Sequence, residues 1–327
     1  MGRARSPELP PNLKRTLRRA RRLEWLTVAY MASAVVLLAL VLGSSQAMKT
    51  AWIEDLLGLI PPVAFLVAMR FNTRGPTGRF PHGFHRIVSI AHLCSALALF
   101  VMGTYLLVES IIKLLSAEYP TINSIELFGQ TIWLGWLMLP ALAYSALPSV
   151  FLGRVKIPLA EELHNKVLYA DAKMNKANWL TAGAAMVGVV GIGFGLWWAD
   201  AAAAAIISLD ITKDGVSNLR RALVDLMDQA PTTVDGDDAD PLREELATML
   251  QDLDWVDDVD LRLREEGQVY FGEALVVPLD ETNITEKIEA ALKQARDLDW
   301  RIYDLALVPV RELPKEGGQV AEEKQSG

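Results

Sequence analysis

Six side chains that could bind a metal cation lie in two apolar segments of the sequence. They are Glu54 and Asp55 in the first segment, and Asp171, Met174, Asn175 and Asn178 in the second. Carboxylate and amide oxygens suit hard or borderline cations, whereas a thioether suits softer ones. Asp171, Asn175 and Asn178 are spaced i, i+4, i+7, which places them on one face of a helix. The sequence therefore predicts an oxygen-lined cation site between two packed helices.

A structural explanation for the same acids is equally compatible with the sequence. A carboxylate inside a membrane costs several kcal/mol unless it is paired or hydrated, so each one needs a partner. Glu54 or Asp55 could pair with Lys173 or Lys176 and hold the helices together. The sequence alone does not decide between an ion pair and a cation site.

Two further acids in apolar segments have charged neighbours along the chain. Glu109 precedes Lys113 by four residues, which predicts an i,i+4 ion pair. Asp210 has Lys213 and Arg220 nearby, which favours an ion network at the edge of the membrane.

The histidines and the single cysteine give weaker signals. His82 and His85 are three residues apart, but two imidazoles alone are a weak indication of metal, and a solvated loop is the favoured interpretation. His92 is predicted to hydrogen-bond a neighbouring helix. Cys94 is predicted to be a small buried hydrophobic residue, and as the only cysteine it excludes an internal disulfide.

Six apolar segments could cross a bilayer, whose core requires about 20 helical residues. These predicted spans are 23–43, 50–71, 87–115, 125–152, 168–198 and 201–215, within a transmembrane domain at 23–228. Arg and Lys crowd the N-terminal segment 1–22 and the loops 70–86 and 154–166. By the positive-inside rule both termini are predicted to be cytoplasmic. The basic segment is not typical of a cleavable signal, and a bacterial inner membrane is compatible with this pattern.

The C-terminal part of the chain is acidic and less apolar. Its acids contribute to the net charge of −8, which argues against nucleic acid as a partner. A linker is predicted at 229–240. Hydrophobic periodicity then predicts the order α-β-β-α-β at 241–312, a small α+β, ferredoxin-like domain with helices on one sheet face, before a polar tail at 313–327. So small a sheet would gain stability from a second copy, so a homodimer is predicted.

Several local motifs resemble the cation diffusion facilitator, or cation efflux, family. Residues 169–172 (YADA) resemble the opening of the family's fifth span, and 198–200 (WAD) before an alanine run resemble the start of its sixth. Residues 215–231 resemble its exit helix, and 80–83 (FPHG) its loop before the third span. The resemblance covers about residues 23–310 and rests on the order and spacing of the motifs together. It implies six spans, a cytoplasmic α+β domain and export of a divalent cation.

The resemblance also implies where a cation would bind. The family's transport site has two acids four apart in the second span, and a His and an Asp four apart in the fifth. By position these fall on Glu54, Gly58, Met174 and Asn178. Only Glu54 keeps a carboxylate, which is a poor match to a tetrahedral zinc site. With Asp55, Asp171 and Asn175 nearby, a harder ion is the better-suited cargo.

Two functions are consistent with these observations. The first is a secondary transporter that exports a divalent cation in exchange for protons, with the cation as substrate and no permanently bound cofactor. The second is a transport-inactive relative that acts as a membrane scaffold or regulatory partner. An enzyme is disfavoured, because the sequence has no glycine-rich phosphate loop, nucleophile elbow or HExxH motif.

Overall fold

The structure is a computed structural model that describes residues 10–72, 77–117, 124–127, 130–236 and 238–314. Its N-terminal part is a helical bundle. The bundle comprises α1 (Pro11–Val41), α2 (Gln46–Leu57), α3 (Ile60–Asn72), α4 (Ile87–Leu115), α5 (Gly135–Glu162), α6 (Lys166–Gly193) and α7 (Trp197–Leu226). A short hairpin, β1 (Ser124–Leu127) and β2 (Gln130–Trp133), precedes α5.

Four helical stretches of the described residues are long and apolar enough to cross a membrane. They are Pro11–Val41, Gln46–Arg70, His92–Leu115 and Gly135–Glu162. The 28-residue α6 and the 30-residue α7 have sufficient length, but they are not among the four because they carry many polar and charged side chains. The helices support an integral membrane protein, whereas the predicted number of six spans is not confirmed.

Several boundaries differ from the sequence-based prediction. Helix α6 ends at Gly193 and α7 begins at Trp197, so the predicted span 168–198 is too long and the predicted span 201–215 begins too late. Helix α1 begins at Pro11, so the described part of the basic segment is helical. The predicted span 125–152 begins only at Gly135, because residues before it pair as an antiparallel hairpin, with Ile125 opposite Ile132 in the register. The predicted span 50–71 is interrupted between Leu57 and Ile60.

The interruption between α2 and α3 follows from local sequence. Pro61 and Pro62 lack a backbone N–H, so the carbonyls of Leu57 and Gly58 lose their usual helical donors four residues on. Gly58 also lies against α1: a Cβ there would be 2.6 Å from the Cε atom of Met31. The break therefore falls at a glycine, where the two prolines that follow already remove two helical hydrogen-bond donors.

The start of α2 is fixed by a buried acid from α7. Asp200 accepts hydrogen bonds from the Ser45 hydroxyl (2.5 Å) and from the backbone N–H groups of Gln46 (2.5 Å) and Ala47 (3.3 Å). A carboxylate at a helix N-terminus satisfies otherwise unpaired N–H groups and complements the helix dipole. This cap holds in place the helix that carries Glu54 and Asp55.

Helices α4 and α7 pack with their backbones close together. A Cβ at Gly215 would lie 2.6 Å from the backbone nitrogen of Phe100, and one at Gly103 would lie 2.9 Å from that of Thr212. Small residues that allow such an approach are typical of helix pairs in membranes.

The outward face of α4 corrects the prediction for Cys94, which is exposed and not buried. Leu97 and Val101, three and seven residues on, are also exposed, at 50% and 53%. The segment is apolar on all sides, so hydrophobicity could not indicate which side packs inward and which side would contact lipid.

The C-terminal part follows the predicted α-β-β-α-β order. It comprises α8 (Leu242–Gln251), β3 (Val256–Glu266), β4 (Val269–Pro278), α9 (Ile284–Leu298) and β5 (Ile302–Pro309). Strand β4 is central, antiparallel to β3 and parallel to β5. The helices cover one sheet face, where Leu246, Leu250, Leu261 and Ala274 belong to a common core. These elements form the small α+β domain that the periodicity predicts.

Candidate cation site

The six predicted ligands line one small cavity inside the bundle. The cavity has a volume of about 40 Å³ and is lined by Met31, Glu54, Asp55, Gly58, Asp171, Met174, Asn175, Asn178, Thr181, Asp210 and Asp214. A water molecule needs roughly 10–15 Å³ on this measure, so the space suits a dehydrated cation with a water or two. The polar face of α6 thus meets the acids of α2, as the i, i+4, i+7 spacing predicts.

Glu54 and Asp55 are bonded to hydroxyl groups. Thr181 Oγ1 donates to Glu54 Oε1 at 3.1 Å, and Ser145 Oγ donates to Asp55 Oδ2. Within the described residues neither acid forms an ion pair. The proposed partner Lys173 lies over the ring of Tyr169, 5.0 Å from its centroid, and the side chain of Lys176 is outside the described part of the structure.

Asp171 differs from these two acids because it has a cationic partner. Lys156 Nζ, from α5, lies 2.5 Å from Asp171 Oδ2 and 3.0 Å from Glu24 Oε2 of α1. The side chains of Lys156 and Glu24 are fully buried. The ammonium partner of Asp171 is thus Lys156. The sequence did not indicate this lysine as a partner, because it lies in the basic segment 154–166, which was predicted to be a loop.

The two asparagines use their amide nitrogens on backbone carbonyls. Asn175 Nδ2 donates to the Asp171 carbonyl at 2.9 Å, and Asn178 Nδ2 donates to the Ser145 carbonyl at 3.4 Å. The side chain of Asn178 also hydrogen-bonds the carboxylate of Asp55, which joins α6 to α2 at the cavity. Met174 is half-buried on the same cavity wall.

Two acids of α7, Asp210 and Asp214, belong to the cavity. For Asp210 the sequence predicts an ion network at the edge of the membrane. Asp210 and Asp214 line the cavity, because a spacing of four residues places them on one side of α7, which turns toward α2 and α6. That spacing was the available signal. Asp214 also interacts electrostatically with Lys213, so the ion network at the membrane edge stays a prediction.

A larger cavity lies at the end of the bundle that faces the α+β domain. It has a volume of about 400 Å³ and lies between α4, α6, α7 and the linker. Met174 and Asp214 line both cavities, and His92, Asn218 and Asp225 are among the other residues of the larger one. We call this larger cavity the vestibule. His92 interacts with the side chain of Asn218 on α7, as predicted for a neighbouring helix.

His82 and His85 contact the α+β domain. The ring of His85 is buried against Phe271 and Tyr303, with centroid distances of 5.6 and 5.1 Å, and burial lowers its pKa. His82 is exposed and lies 3.9 Å from Asp304. The solvated-loop prediction is therefore wrong for His85, because the α+β domain covers that loop. Within the described residues no three His, Cys, Asp or Glu side chains form a metal-binding group.

The opposite end of the bundle carries a compact ion cluster. Lys113 lies 3.5 Å from Glu109, which confirms the predicted i,i+4 pair. Lys49 at the start of α2 approaches Glu109 more closely, at 2.7 Å, and Lys113 Nζ donates to Gln46 Oε1 at 2.7 Å. These contacts tie α2 to α4.

A second polar cluster, which we call the joint, connects the bundle to the α+β domain. Asp240 Oδ2 accepts from Tyr270 Oη and from Arg301 Nη1, both at 2.8 Å. His164, in the turn between α5 and α6, places Nε2 3.0 Å from Tyr270 Oη and Nδ1 3.1 Å from Arg301 Nη1. Tyr270 gives its only hydrogen to Asp240, so His164 Nε2–H is the donor to Tyr270.

The charges of the joint stabilise a neutral histidine. Burial and the nearby Arg301 lower the pKa of His164 to about 4. Burial opposes ionisation of Asp240, but the hydrogen bonds from Leu242 N–H and Tyr270 and the charge of Arg301 lower its pKa overall. Every member thus has a polar partner within the cluster.

The apolar helices support an integral membrane protein with a buried polar cavity. The family model for the cation efflux transmembrane domain matches residues 25–227, more than half of the chain, and the chain therefore belongs to this family. Members of the family are transporters and not enzymes. The chain is also similar to the manganese efflux system protein MneS of Bacillus subtilis (strain 168). The two are 23% identical over 283 residues, which are 83% of this chain and 90% of that protein.

Proposed function

We propose that this protein exports a hard divalent cation, with Mn²⁺ as the first candidate, in exchange for protons across a bacterial plasma membrane. The observation that carries the proposal is the cavity in which Glu54 and Asp55 meet Asn175 and Asn178 inside an apolar bundle. A membrane carboxylate that no described ammonium group neutralises requires another cation, either a metal ion or a proton.

The donor set favours manganese over zinc. Mn²⁺ accepts carboxylate, amide and water oxygens in octahedral geometry, whereas structural and catalytic zinc sites use nitrogen and sulfur donors more often. The cavity has two thioethers, from Met31 and Met174, and its other donors are mainly carboxylate, amide and hydroxyl oxygens. Manganese is also the ion in the name of the Bacillus relative.

The two ends of the bundle support an inward-open state. The vestibule reaches the cavity through Met174 and Asp214, which offers a route from the α+β side. At the other end the Lys49–Glu109 contact closes α2 against α4. Alternating access would require that contact to open while the vestibule closes. With six spans and both termini cytoplasmic, the vestibule would face the cytoplasm.

Proton exchange follows from the charge of the empty cavity. Once a divalent cation leaves, Glu54 and Asp55 would remain buried as uncompensated anions, which the membrane strongly disfavours. Protons that replace the cation would allow the carrier to return. We therefore expect an imposed pH gradient to drive Mn²⁺ flux.

Proteoliposomes that contain the full chain test this function. With a proton gradient we expect Mn²⁺ flux that Glu54→Ala abolishes. Glu161→Gln is the matched control, because it removes an exposed acid at the end of α5, outside the cavity, and is expected to retain flux. Absence of Mn²⁺, Zn²⁺ and Fe²⁺ flux in the wild-type protein would overturn the proposal.

A transport-inactive scaffold is the second candidate, and the Asp171–Lys156 pair favours it. An acid held by a lysine at 2.5 Å needs no metal to neutralise it. This candidate predicts no flux under any gradient and no loss of stability on addition of a chelator, so the same proteoliposomes discriminate between the two.

We also propose that the protein is a homodimer through its α+β domain. Both edges of the three-stranded sheet, β3 and β5, lack a partner strand in the described chain, and Leu279 and Val308 are exposed at 63% and 38%. A mass twice that of the chain, measured in detergent by light scattering, supports the dimer, and a monomer mass contradicts it.

A further inference from the structure

Lys156 forms a buried ion triad with Glu24 and Asp171. The proposed transport cycle by itself assigns no role to this triad. Three helices contribute one residue each: α1, α5 and α6. Lys156 Nζ contacts Glu24 Oε2 at 3.0 Å and Asp171 Oδ2 at 2.5 Å, and all three side chains are almost fully buried. Within the described residues the second oxygen of Glu24, Oε1, is buried and has no hydrogen-bond partner.

The triad and the cation cavity share Asp171. Its side chain both contacts Lys156 and lines the cavity beside Asp55 and Asn175. A cation in the cavity and the ammonium of Lys156 would therefore attract the same carboxylate. In the absence of a metal ion, the lysine supplies the positive charge that Asp171 requires.

Charge balance makes this arrangement different from a simple structural pair. Two carboxylates surround one ammonium group, so the triad has an excess of negative charge if all three groups are ionised. A buried salt bridge is poor evidence for added stability, because desolvation offsets most of the attraction. The triad contains one more carboxylate than ammonium groups, and its Asp171 also lines the cavity. Both features suit an ammonium group that a second cation can displace from Asp171.

We propose that Lys156 is a tethered internal cation that competes with the transported metal ion for Asp171 and thereby sets the affinity of the cavity. When the metal ion binds, Asp171 turns from Lys156 to the ion, and Glu24 keeps the ammonium group paired. When the ion leaves, Lys156 takes Asp171 back and favours release. Lys156 is thus a positioning residue for the transport cycle, and the inference rests on the proposed function.

The test measures Mn²⁺ affinity and flux with the full chain, by equilibrium dialysis in detergent and by proteoliposome transport. We expect Lys156→Gln to bind Mn²⁺ about tenfold more tightly, within the 5- to 150-fold range typical of coupled binding events. We expect its turnover to be slower, because release is no longer assisted. A residue that only supported the fold would weaken binding when removed, so tighter binding separates the two roles.

Two controls separate competition from a general effect of charge. Lys156→Arg keeps the cation and should retain wild-type affinity. Lys173→Gln removes a positive charge from α6 without a contact to Asp171, and it should also retain wild-type affinity. If Lys173→Gln tightened binding as much as Lys156→Gln, direct competition would be contradicted.

A double variant protects the test against misfolding. Lys156→Gln leaves two buried acids without a cation, whereas Glu24→Gln combined with Lys156→Gln removes one charge of each sign. We expect the double variant to fold and to bind Mn²⁺ more tightly than the wild type. If both variants bind Mn²⁺ no more tightly than a wild-type protein that transports it, the competition is refuted while the transport proposal stands. If the wild type neither binds nor transports a cation, the proposed function fails first.

Discussion

The cavity and the joint are both buried polar clusters, but they differ in how far their polar groups are satisfied. In the joint, Arg301, Asp240, Tyr270 and His164 bond to one another at 2.8–3.2 Å. In the cavity, Glu54 accepts one hydroxyl hydrogen bond, and no described ammonium group neutralises it. Satisfied clusters rigidify a fold, whereas a buried group with unused coordination capacity requires a ligand.

This difference assigns distinct roles to the two clusters. The joint connects the turn between α5 and α6 to the α+β domain, so it contributes stability and fixes the start of α6. The cavity lies further along α6, where acids and amides could still bind a cation. Mutations in the two places should therefore affect different measurements.

The largest effect is expected from the combined change Glu54→Gln and Asp55→Asn. It should reduce Mn²⁺ flux about a hundredfold or more, because even outer-shell partners of a metal cost 10- to 100-fold when they are removed. The unfolding temperature in the absence of metal should stay the same or rise, because two buried charges are neutralised. A large loss of stability with retained flux would contradict the assignment of cation binding to the cavity and would give the cavity the structural role assigned to the joint.

At the joint, Arg301→Met should reverse this pattern. The guanidinium donates to Asp240, Tyr270 and His164, so its removal should cost roughly 2–3 kcal/mol of stability. Cation affinity should stay within about twofold of wild type. Thermal unfolding and Mn²⁺ dialysis measure the two quantities. Lys287→Met, which breaks the exposed pair with Asp280, is the control and should not change the unfolding temperature.

Acid should weaken the joint. The pKa of His164 is lowered from 6.5 to about 4, so between these values the unfolded chain binds a proton that the folded chain excludes. Stability therefore falls as the pH falls from about 6.5 toward 4, by roughly 2 kcal/mol at pH 5. Unfolding temperatures at pH 7 and pH 5 measure this loss. His164→Gln should show a smaller pH dependence; an equal one would show that His164 is not its source.

The smallest effect is expected from a change of selectivity in the cavity. Met174→His with Asn178→Asp restores two of the family's donors and should raise the ratio of Zn²⁺ to Mn²⁺ flux about tenfold, because imidazole suits zinc. The family's second acid of this span falls on Gly58, but Gly58→Asp would place a side chain too close to Met31 and is not part of this variant. An unchanged ratio would indicate that the cavity oxygens of α2 and α7 dominate selectivity.

Local periodicity was sufficient to predict most of the fold. The α-β-β-α-β order depends on alternation in strands such as β3 and on the spacing of apolar residues in α8 and α9, and the structure has that order. The hairpin before α5 was missed because its strands have only four residues each, too few for their alternation of polar and apolar residues to stand out beside the apolar helix that follows. Hydrophobicity alone does not separate a short strand from a helix end.

The site was partly predictable for a similar reason. Helical spacing placed Asp171, Asn175 and Asn178 on one face, and the structure places them on the cavity wall with Glu54 and Asp55. The Lys156–Asp171 pair and the cap formed by Asp200 depend on how separate helices pack, which spacing within one helix does not determine. The sequence offered Lys173 as a partner because it is near in the chain, but α6 directs that residue to Tyr169.

Anomalous X-ray scattering from crystals soaked in Mn²⁺ tests the central claim most directly. The account predicts a manganese peak in the cavity, within about 2.5 Å of oxygen atoms of Glu54 or Asp55 and of Asn178. A protein that transports manganese but shows its peak only in the vestibule or at the α+β domain would contradict this site.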